Sequence, residues 1–594
     1  MNSPERGRQG LSRRRVLQST AGAVALSIAG APAAQSQLSS NEGSSLSDVR
    51  DLEAAKARQP EAYPVQPLPF RHGVASGDPL PDTVILWTRV TPGEDAVPGS
   101  GRGEDVRLRW EIATDEAFTR IIGSGETVVT AATDHTVHVD PWGLEPDTEY
   151  FYRFTVFTGR YTGTVSPVGR THTAPAFAAT VESMNIAVAS CANWESGYFA
   201  AYRDMAARGR AAELDLVVFL GDYIYEYGPG EYSGFGPFRL VKPAHEVVTL
   251  ADYRMRYGQY RTDVDLQSAH AALPWVVVWD DHETADNSWS GGAANHQPAT
   301  EGDWLARRNA AMQAYFEWLP IRETSPSQQG HIYRSFSYGD LVELTIMDLR
   351  TYRDSEAASF DLAGYDDPGR TMLGSEQAQW LAGRIRTSAT TWNVLGTSVM
   401  FSPMNLLTLQ QDERTRPVAD FLAEHGIGSA QGFPGVPLNS DQWDGYGAAR
   451  AALLKLLAEK GSNVLMLTGD IHTEWAHEIS HGGRILGAEL VGSSVSAPNI
   501  DEIIGAPKEN AVSHLAESYL LAANPHLKHV ELDHHGYAVA RLSPDRVRFE
   551  FYRTPDVTNQ AAEVALAHSM LWVQGAGFTE GMAQALPVGS SAAG

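Results

Sequence analysis

Five apolar runs in this chain each stop at a chemically active side chain, and that repetition constrains the fold more than any other feature. The plainest is Val217-Val218-Phe219-Leu220, a short buried-strand pattern that breaks at Gly221 and delivers Asp222, Tyr223, Tyr225 and Glu226. The others end in Ser190-Cys191, Asp280-Asp281-His282, Asp348-Leu349-Arg350 and Gly469-Asp470-Ile471-His472. One such ending is ordinary, but their recurrence within one domain is hard to explain as packing. In open α/β folds ligands bind in the crevice beyond the carboxyl ends of the strands. The pattern therefore predicts an α/β domain whose site gathers these five endings. Strands are expected over 185–190, 216–220, 275–279, 341–347, 394–397, 464–468 and 485–491, with a late hairpin over 537–542 and 547–552. Apolar residues at helical spacing place helices over 303–318, 375–386 and 445–459.

Before this domain the pattern is different. From Phe70 to about Pro175, short alternating runs such as 84–90, 106–112 and 136–139 lie between turns rich in Gly, Pro and Asp, the signature of a small all-β sandwich. Residues 143–152, GLEPDTEYFY, resemble the corner before a late strand of fibronectin- or Ig-like domains, where a Tyr hydroxyl ties down the turn. The expected organisation is a leader over 1–35, a lead-in over 36–68, the β-sandwich over 69–176, the α/β domain over 177–575 and a disordered tail over 576–594. The leader places Arg13-Arg14-Arg15-Val16-Leu17 before a weakly apolar stretch and Ala31-Pro32-Ala33-Ala34, which reads as a removable twin-arginine export signal. Its apolar run is too short for a membrane anchor. The Gly/Pro-rich stretches 228–244 and 401–443 show no period and are expected to act as lids or substrate walls.

A formal net charge of −26 argues against a nucleic-acid partner, and no nucleic-acid-binding surface is expected, because phosphate backbones need an excess of Lys and Arg. The single cysteine, Cys191, rules out an intrachain disulfide in a chain expected to be exported. A lone thiol is either a small buried hydrophobe or a ligand, and its place at a strand end favours the ligand. Tyr225 could cap the core through its hydroxyl. Asp280-Asp281-His282-Glu283 packs too much charge into one turn to bury without a cation. His534-His535 reads as a solvated pair before the hairpin.

The same endings resemble the sequence blocks of metallophosphoesterases. GD at Asp222, DDHE at 280–283 and GD-x-H at 470–472 are similar to the superfamily pattern D-x-H, GD-x-x-D, GNH-D/E and GH-x-H, with ordered departures. Cys191 stands where the first block supplies Asp or His, and Tyr225 replaces the second Asp of GD-x-x-D. Asp281 replaces Asn, and Asp470 replaces the first His. Those departures mark the PhoD-like alkaline phosphatases, and HGVASGDPLPDTVILWTRV (72–90), DQWDGY (441–446) and TGDIHTEW extend the resemblance over roughly 70–555.

The resemblance implies an αββα metallophosphoesterase sandwich behind the β-domain. It implies Fe(III) held by Cys191, Asp222, Tyr225 and His472, with Asp222 bridging to Ca²⁺ held by Asp281 and Asp470. His282 is the expected leaving-group acid and Arg350 the expected phosphate clamp, while Asp280, Glu226 and Glu283 orient ligands. The implied activity is that of an exported phosphatase, periplasmic or secreted, in which hydroxide held by the metals attacks phosphomonoesters and phosphodiesters. The twin-arginine machinery is its partner in export. A phospholipase D-type phosphodiesterase on the same fold is the alternative. An inactive cell-surface binding protein is the alternative from another class.

Overall fold

The computed structural model describes residues 66–357, 362–405, 439–461 and 463–579 of the protein. The expected leader, most of the lead-in and of the wall 401–443, and the tail beyond 579 lie outside the described residues.

Two sheets face each other, one of ten strands and one of seven, and a third of four strands stands beside them. At the centre of the ten-stranded sheet, Met184–Ala189, Leu216–Leu220 and Pro274–Val278 run parallel, with Val188 opposite Val218 and Val276 opposite Val218. All five residues of Leu216–Leu220 and of Pro274–Val278 are buried, as continuous apolar runs in parallel sheets must be when both faces are covered. In the seven-stranded sheet Val342–Ile346, Trp392–Thr397, Asn463–Thr468 and Arg484–Val491 are also mutually parallel. Val394, Leu465 and Leu467 share one buried cluster with Val188, Phe219 and Val277 of the first sheet. The helices Gly374–Thr387 and Gly447–Lys460 cover the other face of the second sheet through Leu381, Ile385, Leu453 and Leu457. Helices Ala200–Arg210, Leu250–Tyr260 and Trp304–Trp318 cover the first sheet through Tyr202, Tyr257 and Tyr315. This is the expected αββα layering, and the expected strands fall within two residues of their observed bounds.

Helix starts follow local chemistry. Asp303 accepts from Ala306 N–H and caps Trp304–Trp318, while Thr249 and Asp252 form a reciprocal capping box at Leu250–Tyr260. Each satisfies N–H groups that a helix start leaves without an intrahelical partner.

The N-terminal strands differ from a self-contained sandwich. Ile121–Val129, Val106–Ala113, Glu149–Val156 and Gly169–His172 form the four-stranded sheet, and the Tyr150 hydroxyl accepts from Glu145 N–H at 2.9 Å, the expected corner. The opposing strands Val74–Leu80, Thr83–Arg89 and Thr136–Val139 are instead the end of the ten-stranded sheet, because Ser76 and Gly77 pair in parallel with Pro274 and Trp275. At the other end Gly577–Thr579, within the stretch expected as tail from 576, pairs with Ala565–Val573 as an edge strand.

Candidate metal centre

The strand ends converge where the two sheets open. Cys191, Asp222, Asp470 and His472 follow three different strands, and all have left-handed backbones, with φ of 60, 57, 71 and 64°. Non-glycine residues rarely adopt this region, and it concentrates at sites where side chains must be aimed. Gly221, at φ 101°, permits the turn: a Cβ there would lie 2.4 Å from Asp280 Cβ. Glycine thus lets the Asp222 loop rest against the Asp280 loop. Cys191 N–H donates to Gly221 O at 3.0 Å, which ties the first strand end to the second.

Three groups of side chains there can each hold a metal ion, their ligand atoms lying within 4.8 Å of one another: Cys191, Asp222 and His472; Asp222, Asp281 and His282; Asp280, Asp281 and Asp470. Asp222 and Asp281 each belong to two of them, so the groups form a continuous chain. The Tyr225 hydroxyl lies 3.1 Å from Asp222 Oδ2 and 3.2 Å from His472 Nε2. His472 Nδ1–H donates to Pro498 O at 2.9 Å, which leaves the lone pair of the neutral ring on Nε2, toward Tyr225.

Buried carboxylates outnumber the cations that face them. Asp222, Glu226, Asp280, Asp281, Glu283, Asp441 and Asp470 are each at most 3% exposed. Against them stand Arg350, Arg353 and His282. Excess buried charge of one sign is unfavourable unless cations join it, so the donor set fits metal ions. Its oxygens suit hard cations, and a phenol, an imidazole and a thiol stand together at one end of the chain of groups.

Around this set, hydrogen bonds fix the ligands. Glu283 accepts from Asp222 N–H (3.0 Å) and Asp280 N–H (2.8 Å) through Oε2, and from Tyr223 N–H (2.5 Å) through Oε1, so one carboxylate joins two loops. Burial and the neighbouring Asp222 push the Glu283 carboxyl well above the usual range. Glu226 accepts from His282 Nδ1–H at 2.7 Å, and from Asp286 N–H and Asn295 Nδ2–H at 2.8 and 2.9 Å. Burial opposes a charge on His282, but Asp281, Glu226 and Asp222 outweigh it and bring its pKa up to about 10. Arg350 directs Nε and Nη2 at the two oxygens of Asp280 (2.5 and 2.9 Å) and Nη1 at Asp441 Oδ2 (2.9 Å). Its Nη2 also lies 3.6 Å from Asp281 and 3.8 Å from Asp470. Its donors therefore face carboxylates, in an arrangement closer to a brace than to an open clamp.

All eight side chains singled out from the sequence stand at this one place: Cys191, Asp222, Tyr225, Asp281, His282, Arg350, Asp470 and His472. Other participants escaped that reading. Tyr232 stacks 5.6 Å from Tyr225 and 6.0 Å from His282, and Tyr227 lies 5.5 Å from His282. Gln442 donates to Asp470 at 3.2 Å, and Arg353 holds Asp441. The density of tyrosine in YIYEYGPGEY and the DQW run were the available signals. The expected solvated pair is a correction: His535 is fully buried, held by Ser494 and Glu502, and His534 is held by Glu531 at 2.6 Å.

Comparison with known proteins agrees with this geometry. The family model for PhoD-like phosphatase matches residues 186–551, and that for the PhoD-like phosphatase N-terminal domain matches 54–175. Alkaline phosphatase D of Bacillus subtilis (strain 168) is 38% identical over 521 residues, covering 85% of this chain and 81% of that protein. The solved structure of PhoD superposes with a TM-score of 0.74 at 35% identity, covering 89% of this chain and 95% of that one. The chain therefore belongs to the PhoD-like phosphatases, a family of phosphoric ester hydrolases.

Proposed function

We propose that this phosphatase is exported and hydrolyses phosphomonoesters and phosphodiesters at a centre of Fe(III) and Ca²⁺. Cys191, Asp222, Tyr225 and His472 would hold the iron, while Asp281 and Asp470 with Asp222 would hold calcium. The observation that carries this reading is the sharing of Asp222 and Asp281 between neighbouring groups of potential ligands. Such cations supply charge neutralisation on phosphoryl oxygens and activation of the attacking water.

The chain's own residues do the rest. His282, oriented by Glu226 at 2.7 Å, is aimed to give a proton to the departing ester oxygen. Glu283 and Arg350 hold the Asp222, Asp280 and Asp441 loops in register. No phospho-enzyme forms, since no Ser or Thr stands beside an activating base in this set. Export rests on Arg13 to Arg15 and the segment after them. Replacing Arg13 and Arg14 by Lys should retain the protein in the cytoplasm.

Elemental analysis of untreated enzyme tests the metals, together with rates on a monoester and a diester before and after chelation. Iron and calcium should be present, and Cys191→Ala should lose iron and most activity. Full activity after complete metal removal would overturn the proposal. A phospholipase D-type diesterase is the second reading. It is favoured by Tyr227 and Tyr232 beside His282 and by the 54%-exposed Phe235 that follows them in the same stretch, an apolar surface that could receive an ester group. Faster turnover of phosphatidylcholine than of a water-soluble diester would select it.

A further inference from the structure

The stretch 228–244 lays Tyr232 over His282 without regular backbone of its own, since no helix or strand lies between Leu216–Leu220 and Leu250–Tyr260. Its buried N–H and C=O groups must therefore find partners in other parts of the chain. Most of those partners come from one short segment just past Cys191, Asn193 to Glu195.

Glu195 is buried and grips the stretch near both ends. Its Oε2 accepts from Gly230 N–H at 2.7 Å and its Oε1 from Val241 N–H at 3.4 Å. Its backbone carbonyl accepts from Phe238 N–H at 2.7 Å, and Gly236 permits that approach, because a Cβ there would lie 2.6 Å from the same oxygen. Asn193 Nδ2–H donates to Tyr232 O at 2.8 Å, while Asn193 Oδ1 accepts from Glu195 N–H at 2.8 Å, so the two anchors are joined. Trp194 O accepts from Arg239 Nε–H at 3.1 Å. Arg256 holds the base of the stretch, donating to Tyr227 O at 3.0 Å and Lys242 O at 2.9 Å.

We propose that Glu195 is a positioning residue for this phosphatase: by tying Gly230 to Val241 it fixes Tyr232 as the wall against which the substrate's ester group lies, and so sets selectivity for that group. This rests on the reading that the ester group passes between the stretch and His282. The Glu195 carboxylate bonds the wall and none of the metal-holding side chains, so it acts on binding of the ester group and leaves the centre itself in place. Burial, with Glu231 beside it, raises the Glu195 pKa to about 7, although the Gly230 and Val241 N–H groups and Arg256 favour its charge. A wall that opens returns this carboxyl to water and to its ordinary range. Ionisation therefore favours the open wall, and closure weakens as pH rises between the two values.

The test compares the full chain with its metals against Glu195→Ala and Glu195→Gln at equal metal content. Glu195→Ala strands two N–H donors and should raise KM for phenyl phosphate several-fold, with kcat, and KM for methyl phosphate, changing far less. Glu195→Gln, whose amide oxygen still accepts from one donor, should lie between. Hydrogen exchange of 230–241 reads the clasp itself, apart from where the ester group lies, and should be faster in Glu195→Ala. Faster exchange with equal KM changes for the two esters overturns the proposal through the ester path, and unaltered exchange overturns it through the clasp. Should Glu195→Ala not fold, the other two proteins carry the test. Protection of 230–241, corrected for intrinsic exchange, should be lower at about pH 8 than at about pH 5 in the unaltered protein and equal at both in Glu195→Gln. Protection that is independent of pH in the unaltered protein also overturns the proposal.

Discussion

Glu226 accepts a hydrogen bond from His282 Nδ1–H at a distance of 2.7 Å, and both side chains are buried. The other Glu226 oxygen is held by Asp286 N–H and Asn295 Nδ2–H, so this carboxylate has one orientation. Glu226→Gln loses the charge opposite His282 and must turn an NH₂ toward donors, either His282 Nδ1–H or Asp286 N–H and Asn295 Nδ2–H. We expect kcat to fall about 10²-fold, with KM and metal content little changed. The loss should be smaller for an aryl phosphate with a good leaving group than for an alkyl phosphate. Equal losses on both substrates would remove His282 from leaving-group protonation.

Tyr225 stands within hydrogen-bond reach of both Asp222 and His472. If iron(III) is bound there, its bond to a phenolate absorbs visible light. The purified protein should be coloured, and Tyr225→Phe should bleach it while leaving the fold intact by circular dichroism. Colourless protein of full activity would refute the iron assignment.

Glu283 accepts from three backbone N–H groups on two loops. Glu283→Ala strands all three donors in the interior, at about 1–3 kcal/mol for each one that water cannot reach. Glu283→Gln keeps part of the acceptance and should fall between Ala and wild type in both melting temperature and bound metal. A variant with wild-type metal content would show that the loops hold their positions without this carboxylate.

Asp501 predicts a dependence on pH. It is 0% exposed, and burial, then Glu502 and Asp533, raise its pKa to about 7 against the opposing hydrogen bond from the Glu502 backbone. An acid whose pKa is higher folded than unfolded binds more protons in the native state between the two values. Its contribution to stability therefore falls as pH rises from about 4 to about 7 and is flat beyond. Asp501→Asn should leave stability nearly unchanged at pH 4 and raise it at pH 8, by a few kcal/mol at most. The melting temperatures of the two proteins at these pH values measure this directly.

The strand ends were legible because a fully buried parallel strand writes a continuous apolar run, and its last residue then stands out. That is why Asp222, Asp281 and His472 could be named before any coordinates. Helix Val264–Ala272 was not legible, since Asp265, Leu266, Gln267, Ala269, His270 and Ala272 are buried around most of its circumference and no amphipathic stripe survives. The part Tyr232 plays depends on how 228–244 folds back over His282, and irregular backbone carries no period to read. The engagement of Arg350 by Asp280 and Asp441 links residues 70 and 91 positions apart, beyond the reach of local pattern.

The parallel pairing of Ser76 with Pro274 makes the front of the polypeptide wait for a segment synthesised almost two hundred residues later. Trimming away the N-terminal region would bare the flank of Pro274–Val278 and invite association through it. Each half is therefore a poor candidate for separate expression, and the two should melt as a single cooperative unit.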